Sequence, residues 1–459
     1  MSLVKNPSMV NSEQPLLARE GFTIITICIA IVLALMNTSM FNLALPDVIL
    51  DFYISSSTAS WIVSGYSIMF AISSITFSRL SDFVPLKRLL IISVLALGIA
   101  SLVGFFSNSF LTLLLCRIVQ ASGAGGIISL SMVLYTRYIP IERRGAAMAI
   151  NMSAVSLGLG TGPVVGGLIV DNLGWHWLFI LTSFVLLLIP LMAFALPKEL
   201  PSKGTFDFLG GVLLALGTTF LLLFTTNQNW IILIAGLIAL VLFVIRIRKT
   251  QDPFVLPSLF SNRPYLILVL LGITGYICNF ATLFLLPQIL TQNYHFSAGH
   301  AGLIIFPGSL LAIISSRMVG RVIDRFGNGY FLKYGPIVLL SSIILFAILI
   351  GHNWIGAMIT YMILSLAFTA LSSCLSNEIS RVLDRKFIGS GMGLFQLLQF
   401  FSGAFGVAIV AIALEKQHQL SLAVAYSNIY WGLSVLAVVG VLSTFLYRKY
   451  TPITQASKI

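Results

Sequence analysis

Residues 158–167 read Gly158-Leu-Gly-Thr-Gly162-Pro163-Val-Val-Gly166-Gly167, within a long apolar run. In a helix, Gly158, Gly162 and Gly166 lie four residues apart and Gly167 follows directly, so the four share one face. A face made of glycine lets a neighbouring helix approach closely. Pro163 removes one backbone hydrogen bond and permits a kink. The stretch therefore predicts a helix packed tightly inside a bundle.

The composition around this stretch is that of a membrane protein. Of the 459 residues, 58% are apolar and only 9% are charged, whereas a soluble domain has about 25% charged residues. With a mean hydropathy of +1.01, a soluble fold and intrinsic disorder are both excluded. The four cysteines all fall inside apolar runs without metal-ligand spacing, which indicates packing roles. We expect no metal and no cofactor.

A helix that crosses a bilayer needs about 20 mostly apolar residues. The chain contains fourteen such runs, near 22–45, 58–77, 88–107, 110–135, 146–170, 176–196, 208–226, 230–246, 265–289, 298–319, 330–351, 354–377, 388–414 and 426–447. We therefore predict an all-α polytopic membrane protein with fourteen transmembrane helices.

The positions of the basic residues predict the orientation. Of the 26 Lys and Arg residues, 24 fall in the termini or in the loops on the N-terminal side, and the exceptions are Lys416 and Arg117. Cytoplasmic loops carry such an excess of basic residues, so both termini are predicted in the cytoplasm of a multi-pass cell-membrane protein. The net charge of +12 is thereby explained without a nucleic-acid partner.

A weak internal repeat divides the chain. The loop after the second run contains Asp82 with Lys87 and Arg88, and the loop after the tenth run contains Asp324-Arg325. Each follows the second helix of a six-helix set, and paired bundles around a central path are a transporter layout. The predicted parts are a tail at 1–21, a six-helix bundle at 22–196, two inserted helices and a linker at 197–264, a six-helix bundle at 265–447 and a tail at 448–459.

Several motifs resemble those of the major facilitator superfamily. The chain is most similar to its fourteen-helix drug–proton antiporters, and within these to the class K and class L tetracycline antiporters of Gram-positive bacteria. The resemblance is carried by Asp82 with Lys87 and Arg88, Arg117-Ile-Val-Gln120-Ala-Ser-Gly123, the glycine stretch at 158–167, Asn42-Leu-Ala-Leu-Pro46, Arg137-Tyr-Ile-Pro140, Asp252-Pro253-Phe254-Val255 and Ile305-Phe306-Pro307-Gly308.

This resemblance implies a secondary exporter that works by alternating access. It implies a small-molecule substrate, protons as the exchanged ion and a monomer in the bilayer. It also implies gating roles for the two repeated loops and for the glycine face, which together comprise Asp82, Lys87, Arg88, Asp324, Arg325, Gly158, Gly162, Pro163, Gly166 and Gly167.

Arg117 is the only charge deep inside an apolar run, where an unpaired charge costs several kcal/mol. Gln120 lies one turn away and can hydrogen-bond Arg117 or a ligand. Amides and aromatic rings inside an apolar cavity suit a bulky ligand that a few polar groups orient. The predicted substrate path comprises Arg117, Gln120, Asn37, Thr38, Asn42, Trp61, Tyr66, Asn151, Tyr276, Asn279, Gln288, Gln396 and Gln399.

None of the fourteen carboxylates lies at the centre of an apolar run. A proton-coupled exporter of cations needs a carboxyl whose pKa is raised by desolvation, so that it exchanges a proton for the cation. The nearest candidates for proton coupling are Glu378 and Asp47, close to the ends of two runs. With Arg117 as the only deep charge, a neutral or anionic ligand fits better than a strong cation.

Two alternatives to a drug exporter stay open at this point. The chain could export an endogenous metabolite or peptide without proton antiport, or it could be a transport-inactive sensor. A membrane-embedded enzyme needs a nucleophile with a base, or metal ligands, and the sequence shows no HExxH or GxSxG motif. We therefore expect no enzyme.

Overall fold

The computed structural model describes residues 17, 19–54, 58, 61–197, 199, 206–250, 252–296, 298–350, 353–384, 387–417 and 419–450. Most of the predicted N-terminal tail and residues 451–459 of the predicted C-terminal tail lie outside this range. All regular secondary structure in the described part is helical. The prediction of an all-α fold is confirmed.

Six long helices form the first bundle. They are α1 (Glu20–Phe52), α2 (Trp61–Leu80), α3 (Leu86–Phe105), α4 (Phe110–Tyr138), α5 (Ile141–Leu173) and α6 (Trp177–Ala195), of which α6 contains a 3₁₀ turn at Phe184–Leu187. Two further helices follow, α7 (Phe208–Asn227) and α8 (Trp230–Lys249). Pro85 and Pro140 directly precede α3 and α5, where a missing backbone N–H costs nothing.

Six more long helices form the second bundle. They are α9 (Arg263–Gln288, followed by a π turn at Ile289–Asn293), α10 (Ala298–Phe326), α11 (Gly329–Leu349), α12 (Trp354–Val382), α13 (Ile388–Lys416) and α14 (Leu422–Tyr450). A short helix at Pro257–Ser261 lies in the linker. Gly327 ends α10 with a φ of 73°, a conformation that favours glycine and lets the chain turn into α11.

Each of the fourteen predicted runs falls on one of these helices. Within the described residues, twelve helices are long and apolar enough to span a membrane. The other two, α7 and α10, contain shorter apolar stretches at Phe208–Leu221 and His300–Ala312. The multi-pass membrane fold is confirmed, and the count of fourteen crossings stays a prediction.

The two bundles meet mainly along three pairs of helices. Helix α5 packs against α10 and α12, and α2 packs against α13. We call the end of the molecule that holds Asp82, Arg137, Asp324 and Ser390 the basic end. The hydrogen bonds between the bundles in the described part of the chain run from the basic end to the middle of the helices, where Ser153 Oγ donates to the carbonyl of Ala312. The basic end is therefore closed.

The inserted helices α7 and α8 form an antiparallel pair beside the seam between α2 and α13. Asp207 joins them, and its side chain is completely buried. Its carboxylate accepts hydrogen bonds from the backbone of Gly210 at the start of α7, from the Arg246 guanidinium on α8 and from the backbone of Phe254 in the linker. One carboxylate thus fixes three segments of the insertion.

Candidate substrate path and gating contacts

Arg117 lies in the middle of the first bundle with only 1% of its surface exposed. Its guanidinium carbon lies 4.0 Å from the ring centre of Phe41 and 4.1 Å from that of Tyr66. Its Nη1 donates to the side-chain oxygens of Asn37, at 3.2 Å, and Gln120, at 2.9 Å. Cation–π contacts and amide oxygens thus replace the hydration that the charge has lost.

A shell of neutral groups extends this cluster. Gln120 donates to Ser101 at 2.7 Å, and Thr182 donates to the same Asn37 oxygen at 3.2 Å. Thr38 donates to the hydroxyl of Tyr66 at 3.1 Å. The structure therefore brings four predicted path residues, Arg117, Gln120, Asn37 and Thr38, together, within the first bundle.

Aromatic rings connect this cluster to the second bundle. Tyr66 stacks near Phe70 at 6.3 Å between ring centres, and Phe70 meets Phe400 edge to face at 4.5 Å. Phe400 in turn lies 5.5 Å from Tyr276 and 5.8 Å from Phe280. Phe70 and Phe400 were not predicted as path residues, because which rings meet between the bundles depends on how the bundles dock.

Gln396 and Gln399 lie one turn apart on α13, with exposed fractions of 0% and 1%. Neither the oxygen nor the nitrogen of either side-chain amide has a hydrogen-bond partner among the described residues. Gln399 lies beside Gly272 of α9, and Phe400 is the next residue along α13. Each such unsatisfied buried group costs about 1–3 kcal/mol, so this cluster is a place where a ligand would be stabilised.

The remaining predicted path residues lie elsewhere or are only partly described. Asn279 is buried on α9, one turn from Tyr276, and Asn151 is buried on α5 with its nitrogen 3.9 Å from the sulfur of Met132. Trp61 is 38% exposed at the start of α2, and Gln288 bonds its own helix at Phe284. The side chain of Asn42 lies outside the described residues.

Asp82 joins the two bundles at the basic end. Its carboxylate lies 2.7 Å from Arg79 and 3.1 Å from Arg137, and it accepts a hydrogen bond from Ser390 at 3.0 Å. Arg79 also donates to Ser390, near the start of α13. Only 13% of the Asp82 side chain is exposed, so solvent screens these ion pairs weakly.

Asp324 occupies the equivalent place in the second bundle. Its carboxylate accepts a hydrogen bond from the backbone N–H of Gly145, in the first turns of α5, at 3.1 Å. Thus Asp82, in the turn after α2, contacts the start of α13, and Asp324 of α10 contacts the start of α5. The repeated loop motif that the sequence shows corresponds to a repeated contact between the bundles.

Lys87, Arg88 and Arg325, the basic residues of the two loops with predicted gating roles, form no described ion pair with Asp82 or Asp324. The ammonium of Lys87 donates to the carbonyl of Ala193 at the end of α6, and Arg88 is exposed. Arg325 is exposed and lies 5.2 Å from the ring centre of Phe326. The cations that hold Asp82 are Arg79 and Arg137. A gating role for Lys87, Arg88 and Arg325 stays a prediction.

The two proton-coupling candidates lie away from the central cluster. Glu378 of α12 accepts hydrogen bonds from the side chain of Asn328 and from Tyr447 of α14, at 2.7 Å in the second case. These partners place it inside the second bundle near the basic end. Asp47 is partly buried near the other end of α1.

The glycine face of α5 lies against α1. A β-carbon at Gly158 would lie 2.8 Å from the carbonyl oxygen of Val32, and one at Gly162 would lie 2.9 Å from that of Met36. A β-carbon at Gly166 would lie 3.0 Å from the α-carbon of Met40. The close approach predicted from the glycine spacing is present. Pro163 lies within α5, and Gly167 is partly buried.

Comparison with protein families gives one match over most of the chain. Residues 27–407 match the model of the Major Facilitator Superfamily. The riboflavin transporter RibZ of Clostridioides difficile is 25% identical over 94% of this chain and 98% of its own length. The lincomycin resistance protein LmrB of Listeria monocytogenes is 25% identical over 91% of this chain and 94% of its own.

Solved structures with the same fold include two transporters. The human organic anion transporter MFSD10 (TETRAN) superposes with a TM-score of 0.68 at 17% identity, over 93% of this chain and 99% of its own. The proton:xylose symporter XylE superposes with a TM-score of 0.70 at 15% identity, over 94% of this chain and 96% of its own.

Proposed function

This chain belongs to the major facilitator superfamily and is a multi-pass membrane transporter rather than an enzyme, and on this basis we propose that it exports drug-like or antibiotic molecules from the cell. The observation that carries the proposal is the pair of unsatisfied amides of Gln396 and Gln399, buried beside the aromatic rings that join the two bundles. A ligand there would be bound by both bundles. Alternating access requires such a site.

The chemistry of this site favours a flat or bulky neutral molecule, or an anion. The groups described beside Gln396 and Gln399 are amides and aromatic rings, such as Phe400 and Tyr276, and the structure describes no carboxylate among them. The buried carboxylate of Asp207 lies in the insertion and is paired with Arg246. The rings of Phe41 and Tyr66 lie against the Arg117 guanidinium, which also bonds Asn37 and Gln120, so these residues separate its charge from a ligand. Two relatives are named for riboflavin and lincomycin, which supports a bulky drug-like substrate.

The test is ligand binding to the purified protein. Riboflavin, lincomycin and tetracycline are added separately, and the unfolding temperature is recorded. A ligand that binds only the folded state at 100 times its Kd adds about 2.7 kcal/mol of stability. For a ligand that binds, Gln396→Leu and Gln399→Leu should each weaken affinity about five- to tenfold, since each removes about 1 kcal/mol of hydrogen bonding.

Gln417→Leu is the matched control, because Gln417 directly follows the same helix and accepts a hydrogen bond from Asn428 at the molecular surface. It should leave affinity unchanged. Equal affinities for Gln396→Leu, Gln399→Leu and the parent would show that these amides do not bind the ligand. Failure of all three molecules to bind, together with no export by everted vesicles, would contradict drug export and favour an endogenous substrate or a transport-inactive sensor.

We further propose that export is coupled to proton entry. The resemblance of the sequence motifs to those of the drug–proton antiporters supports this coupling. Glu378 and Asp47 are its candidate groups. Export by proteoliposomes under an imposed pH gradient is compared between the parent and Glu378→Gln. Antiport through Glu378 predicts that the gradient drives export only in the parent. If the pH gradient drives export equally in both proteins, Glu378 is not the coupling group. If the gradient does not change export by the parent, an exporter without proton antiport is favoured.

A further inference from the structure

The two equivalent carboxylates at the basic end are held in different ways. Asp82 has two arginines within ion-pair distance and the hydroxyl of Ser390. Asp324 has the backbone N–H of Gly145, and no Lys or Arg of the described residues lies within 4.0 Å of it. A carboxylate without a cation, partly buried between two bundles, is stabilised by a proton.

The charged groups on α5, which packs most closely against Asp324, do not neutralise it. Arg143 pairs with Glu20 at 3.0 Å. Arg144 is buried, and it donates to Ser380 and to two backbone carbonyls of the first bundle. Glu142 is exposed, and its negative charge further disfavours the ionised form of Asp324.

No described Lys or Arg on the other packed elements lies within 4.0 Å of Asp324. On α10 itself, Arg321 and Arg325 are exposed. The charged groups described near the basic end of α12, α9 and α11 are Glu378, which bonds Asn328 and Tyr447, exposed Arg381, Arg263 near the Tyr450 ring and Lys333 near the Tyr334 ring. The neutral titratable groups there are Cys374, Tyr265, Tyr330 and Tyr334. The π turn after α9 contains no ionisable residue.

Partial burial therefore dominates at Asp324. It raises the pKa of this carboxyl from its ordinary value to about 6, against the lowering effect of the backbone N–H groups of Ala146 and Gly145. Asp324 lies beyond the apolar stretch of α10, at the polar end of the helix. It therefore exchanges protons with the aqueous side rather than with lipid.

We propose that Asp324 is a proton-binding site whose protonation stabilises the closed arrangement of the basic end. The protonated carboxyl keeps one oxygen as acceptor for the N–H of Gly145, and it no longer carries a charge between the bundles. When α5 and α10 separate, the carboxyl enters water, ionises and releases its proton on that side. The proposal rests on the proposed function only in taking that side as the cytoplasm.

The ratio of closed to open molecules depends on pH, because the closed and open forms bind the Asp324 proton with different affinities. The closed form binds the proton more tightly than the open form, so acid favours the closed form. Between pH 8 and pH 5, the ratio of closed to open molecules should rise roughly three- to tenfold, with most of the change below pH 7. Above pH 7 the carboxyl is ionised in both forms, and the ratio should be constant.

The experiment measures distances between spin labels at positions 88 and 381 in a background without native cysteines. Both residues are exposed, at the basic ends of the first and second bundle. Spectra are recorded from pH 8 to pH 5 without substrate. The parent should shift towards the short distance in acid, and Asp324→Asn should hold the short distance at every pH.

Asp82→Asn is the matched control, since it neutralises the equivalent carboxylate of the other bundle. It should weaken closure but keep the pH response. Glu142→Gln is a second variant at an exposed position, and it should move the response to lower pH. A parent that shows no response, or an Asp324→Asn variant that responds like the parent, would overturn the proposal. Because no substrate is used, neither result depends on the export assay.

Discussion

Arg117 is a cation whose surroundings consist of uncharged groups. Two rings cover its faces, and two amide oxygens accept from one of its nitrogens. These partners come from α1, α2 and α4. The residue that the sequence marks as functional because it is a charge in an apolar run is therefore also the centre of the first bundle.

Arg117→Ala should abolish transport and lower stability. The change removes two cation–π contacts and leaves the oxygens of Asn37 and Gln120 without their shared donor, a loss on the order of 2–4 kcal/mol. Arg117→Lys should restore part of both, because its compact ammonium lacks the planar fork that fits between two rings. Thermal unfolding and everted-vesicle export measure the two effects.

The control is Arg248→Ala, which removes an exposed arginine of the inserted helix α8. It should leave both stability and export near the parent values. An Arg117→Ala protein that unfolds at the parent temperature would show that the rings and amides do not depend on the charge they surround.

Helix α5 is one of the elements that touch both bundles. Its Gly158, Gly162 and Gly166 lie against α1, while Gly160 lies on another face, where a β-carbon would meet the hydroxyl of Ser309 on α10. The first face holds α5 within its own bundle. The second meets the helix that must move relative to it if the bundles rock.

Gly158→Ala should destabilise the protein by about 1–3 kcal/mol, as overpacked cores do. The added methyl would lie 2.8 Å from the backbone oxygen of Val32, so α1 itself has to shift. Gly432→Ala on α14 is the comparison, because a β-carbon there meets nothing within 4 Å. That change should stabilise by up to about 1 kcal/mol through helix propensity. Equal unfolding temperatures for the two variants would contradict the packing described for α5.

The sequence predicted the elements better than it predicted their contacts. Long apolar runs ended by Pro85, Pro140 or Gly327 locate helices, because the bilayer leaves few other structures for such residues. The glycine spacing also predicted a real contact. By contrast, the sequence did not predict the ion pair between Asp82 and Arg137, which are 55 residues apart. It also did not predict the contact between Asp207 and Arg246. Their pairing depends on how bundles dock, which no local pattern encodes.

At the scale of the whole molecule, the distribution of basic residues predicts which side of the membrane the basic end faces. Single cysteines at position 88, at the basic end, and position 421, in the exposed turn before α14, report the two sides. In intact cells, an impermeant maleimide should label position 421 and leave position 88 unlabelled. In everted vesicles the pattern should reverse. Labelling of both positions from one side would contradict the predicted topology.

The Asp207 contact also bears on how the polypeptide is made. The carboxylate at the start of α7 finds its partners only 39 and 47 residues later, at Arg246 and Phe254. At about 5–20 residues per second, the ribosome supplies them several seconds after Asp207 itself. During that interval the nascent α7 carries an incompletely paired acid. The first bundle is therefore synthesised before the insertion can be fixed, because the contacts with Arg246 and Phe254 require that α8 and the linker have been made.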